Sequence, residues 1–245
     1  MEYRYLDEVS STNDYLRTYE SVADVTVASA SCQTKGRGQM GNTWVSEPGQ
    51  NLLFSVLVCP VNLEVRDAFV LSQAMALAIK DVLDAYLEDV FVKWPNDIYC
   101  RGEKICGTLI ENSLSGKYVS RSVIGSGVNV NQTEFPGGLA VPATSLRLHL
   151  GRELVPAELL LSVISGFSGY YGEILNGSYR RIREQYHASL YLRGKACRFC
   201  DVDGVFSGCI SHVESDGHLI IVDDSSCTRR YAFKQVKLLH ADGTE

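Results

Sequence analysis

The 245-residue chain is 45% apolar and 21% charged, the balance of an ordinary globular protein with enough material for one sizeable core and a small second unit. A formal net charge of −6, with no run of lysine or arginine, argues against a duplex nucleic-acid partner. Met1-Glu2-Tyr3-Arg4-Tyr5-Leu6-Asp7-Glu8 lacks the apolar stretch of a signal peptide and no apolar run reaches membrane-spanning length, so a cytoplasmic protein with no membrane partner is expected.

Residues 3–9 read as a short strand. Ser10-Ser11-Thr12-Asn13 has strong N-cap chemistry ahead of a short helix reaching Leu16 to Tyr19. Two roles are open to Ser11 and Thr12: capping alone, or presenting donors to an anion together with the first helical amides. The pattern favours the cap.

Residues 25–30 form the next expected strand, followed by Gln33-Thr34-Lys35-Gly36-Arg37-Gly38-Gln39-Met40-Gly41-Asn42-Thr43-Trp44. Gly36, Gly38 and Gly41 satisfy the dinucleotide fingerprint literally, but that loop must open a helix. Here a turn at residues 46–50 and an apolar strand at 51–58 follow instead. A kinase-type glycine loop would fit two strands, yet no His-Arg-Asp or Asp-Phe-Gly triplet follows it. What survives is a glycine-rich loop between strands. It is either solvated and flexible, or its amides and Arg37 wrap a phosphate or carboxylate.

The clearest helix covers residues 66–87, with Leu71, Met75, Ala78, Ile79, Val82 and Tyr86 on one stripe and Gln73, Lys80, Asp84 and Glu88 opposite. Next comes Lys93-Trp94-Pro95-Asn96-Asp97-Ile98-Tyr99-Cys100-Arg101-Gly102-Glu103-Lys104-Ile105-Cys106-Gly107, set between apolar runs at 90–92 and 105–110. Pro95 fits a strand end, and Arg101-Gly102-Glu103 makes a tight polar turn. A hairpin-like unit should therefore bring two lysines, an amide and a carboxylate together. Lys93 and Lys104 are either solvated strand ends or a buried, paired constellation.

A strand at 118–124 leads to Gly125-Ser126-Gly127-Val128-Asn129-Val130-Asn131, read as a small-residue turn whose glycines also suit close approach to a flat ligand. Residues 132–142 look like a loop and 144–150 suit either strand or helix. Residues 156–175, behind Pro156, and 178–190 are helical by period. From Lys195 the pattern changes to short alternating runs at 196–200, 205–213, 218–222, 228–233 and 235–239, with turns at 201–204 and 215–217. This reads as a small β-barrel docked on the main unit, giving domains of 1–190 and 191–245. The eight cysteines are expected to be reduced; Cys197 and Cys200 form half a zinc motif in a strand-like run, without a second pair, and no metal site is assigned.

Ser11-Thr12-Asn13, the Gln33 to Trp44 loop, Lys93-Trp94-Pro95-Asn96-Asp97 with Lys104 and Gly107 behind it, and Gly125-x-Gly127-Val128-Asn129 resemble, in that order, the biotin protein ligases. The resemblance spans nearly the whole chain. It implies an α+β fold: a class II synthetase-like mixed sheet with helices packed on it, plus a C-terminal SH3-like barrel. It looks like the ligase type without the N-terminal DNA-binding arm of the repressor forms. The implied activity is ATP-dependent, with Mg²⁺: biotin becomes biotinoyl-5′-AMP, then passes to a lysine of a biotin carboxyl carrier protein domain.

By the same resemblance Lys104, Arg37 and Asp97 carry catalysis, with Lys104 on the biotin carboxylate and Arg37 converging with it on the phosphates. Asp97 orients Lys93 or assists the incoming amine. Biotin would contact Ser11, Thr12, Gln33, Gly36, Arg37, Trp44, Lys104, Gly107, Gly125 and Gly127. The nucleotide would contact Arg37, Gly38, Gln39, Trp44, Lys93, Asn96, Asn129 and Asn131. Such ligases often pair through edge strands, although no residue here marks the contact. One departure stands out: Gln39 takes the place of the family's second loop arginine, removing a charge-assisted contact to phosphate and weakening retention of the adenylate. The alternatives are a lipoate ligase or octanoyltransferase of the related superfamily, and a non-catalytic vitamin-binding module.

Overall fold

The computed structural model describes residues 1–138 and 141–239. The chain runs β1 (Glu2–Val9), α1 (Thr12–Arg17), β2 (Val25–Gln33), β3 (Leu52–Val58), α2 (Phe69–Asp84), β4 (Val90–Lys93), β5 (Asp97–Cys100), β6 (Glu103–Ser115), β7 (Tyr118–Val128), α3 (Leu146–Leu150), α4 (Pro156–Leu175) and α5 (Arg180–Ala188). The strands β8 (Ala196–Asp201), β9 (Gly204–Val213), β10 (Leu219–Asp223), β11 (Thr228–Tyr231) and β12 (Lys237–Leu239) complete it.

The first seven strands form one mixed sheet in the order β1-β2-β3-β7-β6-β5-β4, with β1 and β2 parallel and the other neighbours antiparallel. Because side chains alternate across a strand, the sheet has two distinct faces. Phe54, Val56, Val58, Ile124 and Val128 pack with α2 and α4 in the main core. Leu57, Val123 and Ala28 point the other way and meet Leu16 of α1. Beyond that small cluster, the α1 face stays open along β6 and β7.

Several expectations change in the folded chain. Residues 93–107 are not one hairpin but the middle of a three-strand meander, because Asp97–Cys100 pairs on both sides, with β4 and β6. The expected turn at Arg101 and Gly102 is present, with both residues at positive φ. Gly125 and Gly127 are not a turn: they lie within β7, paired with Ser55 and Leu53 on one side and Leu109 and Gly107 on the other. Ordinary extended backbone is kept there, so the glycines answer a need for space. Helix α2 is buried nearly all round rather than on one stripe, and Gln73 is only 1% exposed. Sheet, α4, α5 and the C-terminal unit cover its sides. Burying each large apolar side chain in this core, such as Phe167 or Met75, contributes about 1.5–3 kcal/mol. The undecided segment at 144–150 contains the short helix α3. The expected loop at 132–142 carries no helix or strand where described; residues 139 and 140 lie outside the described residues.

The C-terminal unit is a five-stranded antiparallel sheet in the order β11-β10-β9-β8-β12. It has the strands expected of the small barrel, and no pairing among the described residues joins β11 to β12. It is docked rather than tethered. The buried Trp94 indole N–H donates to the Gly217 carbonyl at 2.9 Å, and the Phe233 ring lies 5.5 Å from the Trp94 ring and 6.1 Å from Phe69. Tyr191 N–H donates to the Val92 carbonyl, so the chain leaving α5 also runs beside β4.

Candidate functional site

The open face of β6 and β7 is a trough of about 250 Å³ with a glycine floor. Gly107 and Gly127 face each other across the two strands, and Gly125 lies one alternate position further on. A methyl on Gly127 would overlap the Trp44 indole, and one on Gly107 would come within 3.0 Å of the same ring. A methyl on Gly125 would overlap the Asn13 carboxamide. Side chains are thus excluded from the floor, and the Trp44 indole lies directly against Gly107 and Gly127. Trp44 comes from the glycine loop, which folds back through an Arg37–Thr43 bridge and a Trp44 N–H to Gly36 carbonyl bond of 3.0 Å.

One end of the trough is a polar network. Gln33 Oε1 accepts from the Thr12 amide at 2.8 Å and lies 3.1 Å from Thr12 Oγ1. Ser55 Oγ lies 2.7 Å from Thr12 Oγ1 and 2.6 Å from Asn13 Oδ1. Asn13 Nδ2 donates to Glu111 Oε2 at 2.9 Å, and Arg37 is paired with Glu111 at 2.7 Å and Asp14 at 2.9 Å. Ser11 is the N-cap of α1 by position, but its hydroxyl makes no capping bond. It is 2% exposed and lines the trough. The cap reading therefore fails here: the hydroxyl is left for the cavity.

The other end is ionic. Lys104 Nζ lies 2.7 Å from Asp97 Oδ1 and 5.7 Å from the centre of the Trp44 ring. Cys106, between Lys104 and the floor, is buried, which pushes its thiol up to about 12 and keeps it protonated. Past Lys104 the trough meets a second cavity of about 460 Å³, lined by Trp44, Asp97, Lys104, Asn129, Phe135 and Ala143 among others. Glu111 lies four strand positions beyond Gly107, which sits beside Lys104. At about 3.3 Å per residue the two ends stand roughly 13 Å apart. A ligand with an acid at one end and a polar ring at the other fits this spacing, with the second cavity beyond the acid.

The family model described as "Biotin/lipoate A/B protein ligase family" matches residues 5–129, more than half of the chain and the whole of the trough floor. The chain belongs to this family. Within the biotin/lipoate ligase family it is 27% identical over 233 residues to the bifunctional ligase/repressor BirA of Bacillus subtilis, covering 93% of this chain and 71% of that protein. It is 34% identical over 159 residues to the biotin–[acetyl-CoA-carboxylase] ligase of Mycobacterium tuberculosis, covering 61% of this chain and 57% of that one. Among solved structures, the biotin protein ligase from Aquifex aeolicus in complex with biotin and ATP superposes with a TM-score of 0.79 at 26% identity, covering 98% of this chain and 99% of that one.

Set in this ligase fold, the expected residues divide. Ser11, Thr12, Gln33, Arg37, Gly38, Gln39, Trp44, Asn96, Asp97, Lys104, Gly107, Gly125 and Gly127 all line the trough. Gly36 lies behind it, where a methyl would press on the Trp44 carbonyl at 2.5 Å. Asn129 faces the second cavity, with its amide donating to the Thr144 carbonyl. Asn131 is spent on Leu154, donating to its carbonyl and accepting from its amide, and lines neither cavity. Lys93 also stays outside both; its ammonium donates to the Trp94 carbonyl at 3.0 Å and burial lowers its pKa. Asp97 accordingly pairs with Lys104 rather than orienting Lys93. Arg37 and Lys104 share the cavity but do not converge: two carboxylates hold the guanidinium at the far end from Lys104. Asn13, Asp14, Ser55, Glu111 and Lys234 were not foreseen. Parity alone would have found Glu111, which lies two steps of two beyond Gly107 on the same strand face.

Proposed function

We propose that this chain is the biotin–[acetyl-CoA-carboxylase] ligase of its family, taking biotin and ATP, the latter with Mg²⁺, to biotinoyl-5′-AMP and then to a lysine of a carrier domain. One observation carries the reading: a glycine-floored trough with a lysine–aspartate pair at one end, a hydrogen-bonded network of hydroxyl and carboxamide groups at the other, and a second cavity beyond the lysine.

The chemistry follows from placement. A biotin carboxylate next to Lys104 is held by a cation and directed at the second cavity, where ATP presents its α-phosphorus. A carboxylate oxygen forms the new P–O bond and pyrophosphate leaves. Lys104 offsets the repulsion of two anions as they meet, an electrostatic contribution to the transition state. Asp97 keeps the ammonium in place. The loop amides and Gly38 lie over the trough for the phosphate, while Asn129 faces the nucleotide cavity. In the second step the carrier amine attacks the acyl carbon and AMP leaves, so no enzyme nucleophile is required. Residues 1–190 form the catalytic unit. Residues 191–245 form the second unit, whose described part, 191–239, closes one side of the catalytic unit, with Lys234 lining the trough.

Lipoate fits the head end less well. Its dithiolane offers neither N–H nor C=O, and it would leave the Ser11 hydroxyl without a ligand partner in a buried site, which costs about 1–3 kcal/mol. The test is biotin-dependent ATP–pyrophosphate exchange followed by transfer of labelled biotin to a carrier domain, run beside lipoate. Lys104→Ala should nearly abolish the exchange. Exchange at the wild-type rate in that variant would remove Lys104 from the mechanism, and a preference for lipoate would overturn the substrate.

A further inference from the structure

Building on the biotin and ATP reading above, we infer that Lys234, in the turn between β11 and β12, holds the pyrophosphate end of ATP during adenylate formation. The C-terminal unit thereby supplies a phosphate contact of its own.

A trough in which two anions react needs positive charge that is not already spent. Arg37, Lys104 and Lys234 are the cations that line it. Arg37 is held by Asp14 at 2.9 Å and Glu111 at 2.7 Å, and Lys104 by Asp97 at 2.7 Å, whereas Lys234 makes no ion pair among the described residues. Lys234 is exposed, so the contact forms at the open edge of the trough, where water and salt limit its strength.

The backbone at this position carries a cost. Lys234 has φ +66°, in the left-handed region that glycine adopts freely and a lysine does not. The turn is tied in place: Gln235 N–H donates to the Ala232 carbonyl at 3.1 Å, and the Ala232 amide donates to Gln235 Oε1 at 2.7 Å. The Phe233 ring packs 5.5 Å from that of Trp94, which directly precedes Pro95, Asn96 and Asp97 in the trough wall. Lys234 is therefore carried on a fixed turn beside the segment that holds Lys104. Strain kept at such a place points to a use for the side chain that glycine would not serve.

In-line displacement assigns the group. The carboxylate oxygen that attacks the α-phosphorus and the bridging oxygen that departs lie roughly opposite each other. The acid comes along the trough beside Lys104, and the nucleoside occupies the second cavity, whose lining does not include Lys234. The tail takes the remaining direction. Lys234 also lines a hollow of about 670 Å³ on the C-terminal unit, together with Arg229, Arg230, Lys237, Asp201 and Asp203. Arg229 is held by Asp201 and Asp223, and Arg230 by Glu214 and Asp216, which leaves the lysines as its uncommitted cations. As the bond from the α-phosphorus to the bridging oxygen breaks, its electron pair passes to pyrophosphate. Lys234 meets that charge where it accumulates.

The experiment measures ATP–pyrophosphate exchange, with separate KM values for biotin, ATP and pyrophosphate, in wild type, Lys234→Gly, Lys234→Gln and Lys234→Arg. Transfer to a carrier domain from preformed biotinoyl-5′-AMP is followed in the same proteins. Lys234→Gly relieves the backbone and removes the charge. Its Tm should equal or exceed that of wild type, while KM for ATP and for pyrophosphate rises roughly fivefold or more. Lys234→Gln should raise both by a similar factor, and Lys234→Arg should stay within about twofold of wild type. KM for biotin and transfer from the preformed adenylate should change by less than about twofold in every variant, since neither involves pyrophosphate. Unchanged KM for ATP and pyrophosphate in the glycine and glutamine variants would overturn the role of Lys234 and leave the biotin reading intact. An equal rise in Lys234→Arg, or an equal loss in transfer from the preformed adenylate, would do the same. Absence of biotin-dependent exchange in wild type would overturn both.

Discussion

Adding one methyl to the floor, Gly127→Ala, separates the binding surface from the fold. Gly127 sits within β7 between Leu53 and Gly107, in extended backbone that alanine adopts freely. The three atoms nearest the added methyl all belong to the Trp44 indole, with Cζ2 and Nε1 at 2.7 Å. The neighbour that must give is therefore the side chain of a loop residue and not the sheet. On the backbone alone the change is favourable, since glycine within a strand costs roughly 0.5–1 kcal/mol relative to alanine. Displacing the indole acts against this, and the net shift in Tm should stay within about 4 °C for a chain of this size. Biotin sees a different change. The methyl pushes the Trp44 indole toward the trough, which costs a ligand held there about 1–3 kcal/mol, and at about 1.4 kcal/mol per tenfold this weakens binding roughly 5- to 150-fold. Isothermal titration with biotin and a calorimetric melt of the same sample measure both quantities. An unchanged Kd with an unchanged Tm would show that the ligand does not lie on this floor. A fall in Tm of more than about 10 °C would show that the sheet, and not Trp44, resists the methyl.

Gln39→Arg places a guanidinium on the trough wall and should slow the escape of biotinoyl-5′-AMP into solution, read by quenching the adenylate released over time; an unchanged escape rate dismisses that role for the position. Trp94→Phe removes the indole N–H that meets the Gly217 carbonyl and leaves that carbonyl buried without its donor, so the urea midpoint should fall by the equivalent of about 1–3 kcal/mol. No fall would mean the joint between the two sheets is held by ring packing alone. Burial lowers the Lys93 pKa below the ordinary 10.5, so between the lowered value and 10.5 the unfolded chain binds more protons and wild-type stability rises with pH. Lys93→Met should be more stable than wild type at neutral pH, with the gap narrowing toward pH 10.5; parallel stability curves for the two proteins would refute the assignment.

Much of this was legible before folding because some signals are local. Pro156 at the first helical position fixed the start of the long helix, whose bounds of 156 and 175 agree with its period. The stretch from Lys93 to Gly107 was expected to bring two lysines and a carboxylate together, and Asp97 does meet a lysine there, although it is Lys104 and not the expected Lys93. What was missed depends on partners distant in sequence. Gly125 and Gly127 read as a turn because clusters of small residues usually are one; only β3 and β6 on either side make them a strand interior. The Ser11 hydroxyl followed local capping rules, while its burial against residues far along the chain took it out of that role. Arg37 was assigned by its charge and the glycines beside it. The two carboxylates that hold it come from α1 and β6, and no spacing within the loop announces them.

Trp94 is bonded to the C-terminal sheet, and it stands three residues before the aspartate that holds Lys104. On the proposed mechanism, docking and acid activation therefore share a single short segment, with Pro95 between them. A graft that replaced residues 191–245 with a foreign module would be felt first in the rate of adenylate formation and only later in carrier choice. The C-terminal unit behaves in this respect less like an appended cassette than like the back wall of the reaction chamber.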